Sequence, residues 1–136
     1  MRNDFDFFHQ IRVRFGEVDQ QGIVYNGNYS IYTDVAFEEY FRAKGHPYKY
    51  LAEGESEICH RKYTATYSSS AVYDDLLDVG VRLKEIGTRS FTLIFEIYRA
   101  GENELLFDAQ SVYVGYDSTN RCSQPISPLM RKLLTE

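Results

Sequence analysis

Two carboxylate side chains stand close together in the segment FGEVDQQGIVYNGNY, which covers residues 15–29. Glu17 and Asp19 precede Gly22, a residue type that permits a tight or left-handed backbone. A carboxylate beside a polarised carbonyl group can attack that group or activate a water molecule. The residue types therefore suit acyl transfer or hydrolysis. An Asp shortly before a Gly is also typical of an Asx-turn, and the segment alone leaves both interpretations open.

The same segment leads into a helix whose first turn supplies free backbone N–H donors. Residues 29–43 carry apolar side chains at helical spacing, and KGHP at residues 44–47 ends the helix. The unpaired N–H groups of a first helical turn bind an anion, or stabilise a carbonyl oxygen as it becomes an oxyanion. Gly27 allows a ligand to approach these groups closely, and Asn26 or Asn28 is expected to cap the helix.

One antiparallel sheet is predicted to hold this helix. Runs of alternating or densely apolar residues indicate one strand before the helix and four after it. A short helix entered through Pro128 is expected near the end of the sequence. The segment Pro47–Gly54 is expected to be a link. Short connections make neighbouring strands antiparallel, so the fold class is α+β. The predicted strands cover residues 9–15, 58–67, 76–86, 91–98 and 105–116, and the final helix covers residues 129–134.

The bulk composition argues against several classes of protein. The 136 residues suit one domain with a sizeable core. The net charge of −5 argues against a nucleic-acid-binding surface. Cys59 and Cys122 are too few for a disulfide framework, and the three His do not cluster as zinc ligands do. No apolar run reaches the length of a membrane span and no signal-peptide core is present, so we expect a cytoplasmic protein.

The predicted helix has more apolar surface than one sheet is expected to cover. Nine of the 15 residues from 29 to 43 are apolar, and they extend beyond one face. The chain also contains 12 Tyr and 9 Phe, and Tyr in particular suits half-buried surfaces and interfaces. We therefore expect a second subunit to cover part of the helix.

The opening segment resembles the signature of the 4-hydroxybenzoyl-CoA thioesterase family of hotdog-fold proteins. That pattern runs Asp, two residues, Gly, an apolar pair, an aromatic residue, three variable residues and Tyr. The stretches YDDLLDVGVRL, KEIGTRSFTLIFEIYR and SVYVGYD resemble later strands of the family in the same order, so the resemblance covers nearly the whole chain. The residues that match the signature are Asp19, Gly22, Ile23, Val24, Tyr25 and Tyr29.

The resemblance implies a single hotdog domain over residues 1–136, an antiparallel five-stranded sheet wrapped around one long central helix. It implies an acyl-CoA thioesterase, which hydrolyses acyl-CoA to a carboxylic acid and CoA. Family members act as homodimers or homotetramers with active sites at the subunit interface. No metal or redox cofactor is expected, since CoA is part of the substrate.

The resemblance also assigns catalytic groups. Asp19 matches the catalytic carboxylate, which is a nucleophile or a general base, and Glu17 is the alternative carboxylate. The backbone N–H of Asn26 or Gly27 matches the group that polarises the thioester carbonyl. Asn26 departs from close relatives, which often carry His or Tyr there. Because an Asn side chain does not titrate near neutral pH, it cannot serve as acid or base.

Five further residues are expected to bind substrate. Tyr25 and Tyr29 flank the expected oxyanion site, so we expect them to line the acyl pocket. Thr88, Arg89 and Ser90 occupy the hairpin positions that contact the CoA nucleotide in family members. A guanidinium in a polar hairpin is a good phosphate ligand, although a solvated surface charge is an equally valid interpretation of Arg89.

Two other functions are compatible with the same residues. The chain could be a non-catalytic hotdog protein that binds acyl-CoA or lipid, or a thioesterase that acts on acyl carrier protein. A hotdog dehydratase is less favoured, because such enzymes use a His as well as an acid and no His lies in the signature. The sequence does not specify the acyl group.

Overall fold

The computed structural model describes all 136 residues as one antiparallel sheet packed against a long helix. Five strands lie in the order β1-β3-β4-β5-β2, and a two-residue strand, β6, pairs with β5. The strands are β1 Phe8–Arg12, β2 Ile58–Tyr67, β3 Leu76–Ile86, β4 Ser90–Arg99, β5 Leu105–Asp117 and β6 Cys122–Ser123, and the helices are α1 Asn28–Ala43, α2 Tyr48–Glu53 and α3 Pro128–Thr135.

The α+β class and the order of the elements are confirmed. The predicted bounds of β2 and β3 agree with the structure, those of β4 and α3 differ by one residue at each end, and that of β5 differs by one residue at its end. The first strand was predicted to reach residue 15 but ends at Arg12. Residues 15–17 instead form a single 3₁₀ turn, because the Glu17 N–H donates to the Arg14 carbonyl over 3.0 Å.

The predicted link at Pro47–Gly54 is wrong, because most of it forms α2. Pro47 was interpreted as a helix stop, but it also starts this second helix: its carbonyl accepts from the N–H of Tyr50 and of Leu51. A proline fits just ahead of a helix, where no intrahelical N–H is lost.

Aromatic stacking joins α1 to the sheet. The ring of Tyr29 stacks on Phe107 with centroids 5.0 Å apart, and Phe37 stacks on Tyr113 at 5.1 Å. Offset stacks of this kind stabilise a core beyond the area that they bury. The first stack fixes the start of α1 near the beginning of β5. The second fixes the middle of α1 over the later half of β5.

The side of α1 that faces away from the core is mostly polar. It carries exposed Ser30, Asp34, Glu38 and Arg42, with Ile31 about half exposed among them. The sheet therefore covers more of the apolar stripe than the sequence pattern suggests. No helix in the structure has both the length and the apolarity to cross a membrane.

The two edges of the sheet differ in length. β1 is a five-residue edge strand, whereas β2 presents ten residues whose outer edge pairs with no other strand. A long unpaired edge offers a row of free N–H and C=O groups to another chain.

Candidate active site

Asp19 lies in a tight turn that precedes α1. Its backbone N–H donates to the Ile23 carbonyl over 2.9 Å, and its carbonyl accepts from Gly22 N–H over 3.0 Å. Gly22 has φ +80°, the left-handed region that favours glycine. The Asp19 Oδ1 accepts from the Gln21 N–H over 2.8 Å, which is an Asx-turn. Oδ2 accepts no hydrogen bond from the protein, so the turn leaves one carboxylate oxygen available for chemistry.

A pocket of about 360 Å³ opens beside this turn. It lies between the Asp19 turn, the start of α1 and the end of β2. Four of the residues expected to catalyse the reaction or bind substrate therefore share one cavity. The lining is Asp19, Gln21, Ile23, Val24, Tyr25, Asn26, Tyr29, Tyr67 and Ser70.

Two backbone N–H groups just before α1 are free; Asn26 lines the pocket, and Gly27, the next residue, is not part of the lining. The helix begins after Gly27, with no side-chain cap, so the predicted capping by Asn26 or Asn28 is wrong. The Asn28 amide instead donates to the Glu17 carbonyl over 2.8 Å and ties the turn to the helix. The N–H groups of Asn26 and Gly27 donate to no acceptor in the protein. Both remain available to a ligand oxygen.

Gly27 is held in close contact with the Tyr25 ring. A Cβ atom added to Gly27 would lie 2.8 Å from Cε2 of Tyr25, which is closer than real Cβ atoms approach. The φ of Gly27 is −65°, which any residue adopts, so a larger residue here is limited only by the position of the Tyr25 ring. Tyr25 is 55% exposed and forms an outer wall of the pocket.

Tyr29 forms the inner wall. Its side chain is buried, and its hydroxyl accepts a hydrogen bond from the Ala71 N–H over 3.2 Å. Burial raises the pKa of Tyr29 above its ordinary value. The hydroxyl thus stays neutral and holds the segment after β2 against the helix.

Glu17, the alternative carboxylate, is turned away from the pocket. It pairs with the Arg14 guanidinium at 2.5 Å and accepts from the Tyr32 hydroxyl over 2.9 Å. Burial alone would raise the pKa of Glu17, but the hydrogen bonds from Arg14 and Tyr32 outweigh it and hold the pKa below its usual range. These contacts occupy both carboxylate oxygens of Glu17, whereas Asp19 Oδ2 has no partner in the protein.

The hairpin residues Thr88, Arg89 and Ser90 are not brought to the Asp19 pocket of the same chain. Ile23 bridges to Val72, just before β3, whereas the hairpin follows β3. The 11 residues of β3 span about 33 Å in extended form. The Arg89 guanidinium donates to the Ser123 carbonyl over 3.0 Å and lies exposed at that far end.

A second pocket, of about 370 Å³, lies where α1 faces the start of β2. His60 lies at its edge, with Nε2 3.7 Å from the Asp34 carboxylate and Nδ1 2.9 Å from the Ser111 hydroxyl. Burial raises the pKa of Asp34, and His60 opposes that rise.

No three His, Cys, Asp or Glu side chains come together in a way that could hold a metal ion.

Tyr67, the last residue of β2, is a pocket residue that no sequence pattern predicted. Its hydroxyl donates to the Asn26 carbonyl over 3.3 Å. The partners are 41 positions apart in the chain, so no local pattern connects them. The only sequence signal is a polar-tipped ring at the end of a predicted strand.

Comparisons with known proteins find similar proteins over most of the chain. A family model described as the thioesterase-like superfamily matches residues 13–134. A putative esterase of Aquifex aeolicus (strain VF5) is 32% identical over 93 residues, which are 68% of this chain and 73% of that protein. The crystal structure of a hypothetical protein from Aquifex aeolicus superposes with a TM-score of 0.87 at 27% identity, covering 94% of this chain and 98% of the other. The 4-hydroxybenzoyl-CoA thioesterase from Pseudomonas sp. strain CBS-3 gives a TM-score of 0.80 at 24% identity, covering 93% and 97%.

Proposed function

Because this chain belongs to the thioesterase-like superfamily, a family of thioester hydrolases, we propose that it hydrolyses acyl-CoA to a carboxylic acid and free CoA. The family resemblance predicted from the signature is confirmed by the family match, and the hotdog fold by the superposed structures.

The observation that carries the proposal is a pocket lined by Asn26, whose N–H is free, and by a carboxylate with one free oxygen. The N–H of Gly27, the next residue in the chain, is also free. A thioester carbonyl oxygen at these donors gains hydrogen bonds as it becomes an oxyanion. Asp19 Oδ2 then acts in one of two ways: it takes a proton from the attacking water, or it attacks the carbonyl carbon to form an anhydride that water cleaves. In both routes the C–S bond breaks, and CoA leaves as a thiolate that takes up a proton.

A second subunit would bring the hairpin Thr88–Ser90 towards an Asp19 pocket, which it does not reach within one chain. Ile58, at the start of β2, pairs with Gly115, near the hairpin end of the sheet, whereas Tyr67, at the end of β2, lies in the Asp19 pocket. In a twofold pairing of two β2 edges, antiparallel strands place the start of one beside the end of the other. Thr88–Ser90 of one copy then lie on the same side as the Asp19 pocket of its partner. We propose a homodimer of this kind, or a tetramer built from it, with active sites at the interface.

The proposed setting is the cytoplasm. Cys59 and Cys122 are free thiols, which persist in a reducing compartment. The proposed reaction uses no metal or redox cofactor, because a carboxylate and backbone donors supply the groups that it needs.

A hydrolysis screen tests the proposal. Short, long, branched and aryl acyl groups, each carried on CoA and on acyl carrier protein, are incubated with the protein, and the released thiol is measured. We expect turnover of at least one class, and a loss of at least about 100-fold in kcat for Asp19→Asn, whose amide oxygen still closes the turn with Gln21. Binding of CoA esters without turnover would instead identify a binding protein, and turnover only of acyl groups on acyl carrier protein would identify that carrier.

A further inference from the structure

The Tyr67 hydroxyl is the only side-chain donor on the peptide group that joins Asn26 to Gly27. The Asn26 carbonyl of that group also accepts from the Tyr29 N–H, over a long 3.4 Å. This peptide lies just ahead of α1, where the regular bonding of the helix has not yet begun. Its orientation therefore depends strongly on what binds the carbonyl.

Anchoring the carbonyl also anchors the N–H. The six atoms of a peptide unit are coplanar, and in a trans peptide the C=O and N–H point in opposite directions. All peptide bonds in this chain are trans. A hydrogen bond to the Asn26 oxygen consequently fixes the direction of the Gly27 N–H. Polarisation through the same peptide also makes that N–H a better donor.

The packing of Tyr67 suits it for this task. Its ring makes edge contacts with Tyr29 at 5.6 Å and with Phe107 at 5.2 Å, while 53% of the residue remains exposed. Two buried aromatic side chains thus hold the ring at a fixed angle. The hydroxyl adds little to the core itself, because its partner lies at the exposed rim.

We propose that Tyr67 is a positioning residue, whose hydroxyl aims the Gly27 N–H at the substrate carbonyl oxygen. The inference rests on the proposed thioester hydrolysis and adds to it a residue on β2 that controls the oxyanion site. It assigns Tyr67 no proton transfer and no direct bond to the substrate.

Tyr67→Phe tests the proposal, because it removes the hydroxyl and keeps the ring. We expect kcat to fall about tenfold, less than the 10²–10³-fold typical of deleting an oxyanion donor, since the N–H is misaligned and not removed. KM should change by less than about twofold, because the pocket wall is retained. Tyr50→Phe is the matched control: Tyr50 is 65% exposed on α2, and its hydroxyl makes no hydrogen bond with the protein. That variant should match the parent.

A spectroscopic measurement separates positioning from a general loss of structure. In the hydrolysis-blocked Asp19→Asn background, the infrared stretch of a ¹³C-labelled thioester carbonyl in bound benzoyl-CoA reports its hydrogen bonding. We expect a smaller shift to low frequency when Tyr67→Phe is added, at an unchanged melting temperature.

The outcomes distinguish the proposed thioester hydrolysis from the positioning role of Tyr67. If the unaltered protein hydrolyses no acyl-CoA, the proposed function fails, and the positioning role fails with it. If the parent is active but Tyr67→Phe keeps the parental kcat, or raises only KM, the positioning role alone is overturned. An unchanged carbonyl frequency in the double variant overturns it as well.

Discussion

Gly27→Ala is expected to separate activity from stability. The new methyl group would lie 2.8, 3.3 and 3.7 Å from Cε2, Cδ2 and Cζ of Tyr25, and no other atom lies nearer. The Tyr25 ring is half exposed, so it can swing outward and relieve the overlap. The outer wall of the pocket then moves, and the methyl group stands next to the Gly27 N–H.

The expected change in stability is small because two effects oppose each other. Replacing Gly by Ala in a compatible backbone conformation stabilises by about 0.4–1 kcal/mol through the unfolded chain, and φ −65° is compatible. Alanine is also a poorer helix N-cap than glycine, by a similar amount of roughly 0.5–1 kcal/mol. The free energy of unfolding should therefore stay within about 1 kcal/mol of the parent.

The expected change in activity is large. Weakening an oxyanion donor costs up to about 10²–10³-fold in kcat, and we expect a loss of about 100-fold in kcat/KM for an acyl-CoA. Released CoA thiol gives the rate, and urea unfolding gives the stability. Gly16→Ala is the control, since an added Cβ there meets no atom within 4 Å.

A double variant locates the cause. Tyr25→Ala removes the ring that Gly27→Ala displaces. If ring displacement is the whole effect, adding Gly27→Ala to Tyr25→Ala costs little; if the methyl group blocks the donor, the loss persists. Activity of Gly27→Ala within twofold of the parent would refute the assignment of the helix start as the oxyanion site.

Two further variants test the charged groups. Glu17→Gln removes the ion pair with Arg14 and weakens the hydrogen bond from Tyr32. Because the pKa of Glu17 is lowered in the folded protein, its stabilisation is present above about pH 4.3 and is lost as the pH falls through the lowered pKa. Urea unfolding should show a smaller difference in the free energy of unfolding between parent and variant at about pH 3 than at about pH 7. A difference that does not change with pH would show that the Glu17 carboxylate does not stabilise the fold through its charge. Arg89→Ala should raise KM for acyl-CoA about tenfold, equivalent to one lost charge-assisted hydrogen bond, and leave KM for the corresponding acyl-pantetheine unchanged. An equal rise in KM for both substrates would show that Arg89 does not bind the nucleotide of CoA.

Local patterns predicted most of the framework. The alternation in residues 58–67 and 76–86 located β2 and β3, because one face of each strand packs on the core. The six-residue helix α2 was missed, since so short an element has too few turns to show a period. The predicted helix cap was wrong for a different reason. The Asn28 side-chain amide donates to the Glu17 carbonyl, 11 positions earlier, and accepts no hydrogen bond from an N–H of its own helix.

The candidate site was predictable where it is continuous in sequence. Asp19, Tyr25, Asn26 and Tyr29 lie within 11 residues and meet in one pocket. The contribution of Tyr67 depends on how β2 pairs with β5, which no local spacing encodes.

Gln21 N–H and the Asp19 carboxylate close a small ring of covalent bonds and one hydrogen bond. This ring removes most of the rotational freedom of the carboxylate before any substrate arrives. The entropy of ordering it is therefore lost during folding and not during each turnover. A glutamate carries the same charge but one more methylene, so it cannot close the same ring. Side-chain length, more than charge, is the property that the fold demands at this position.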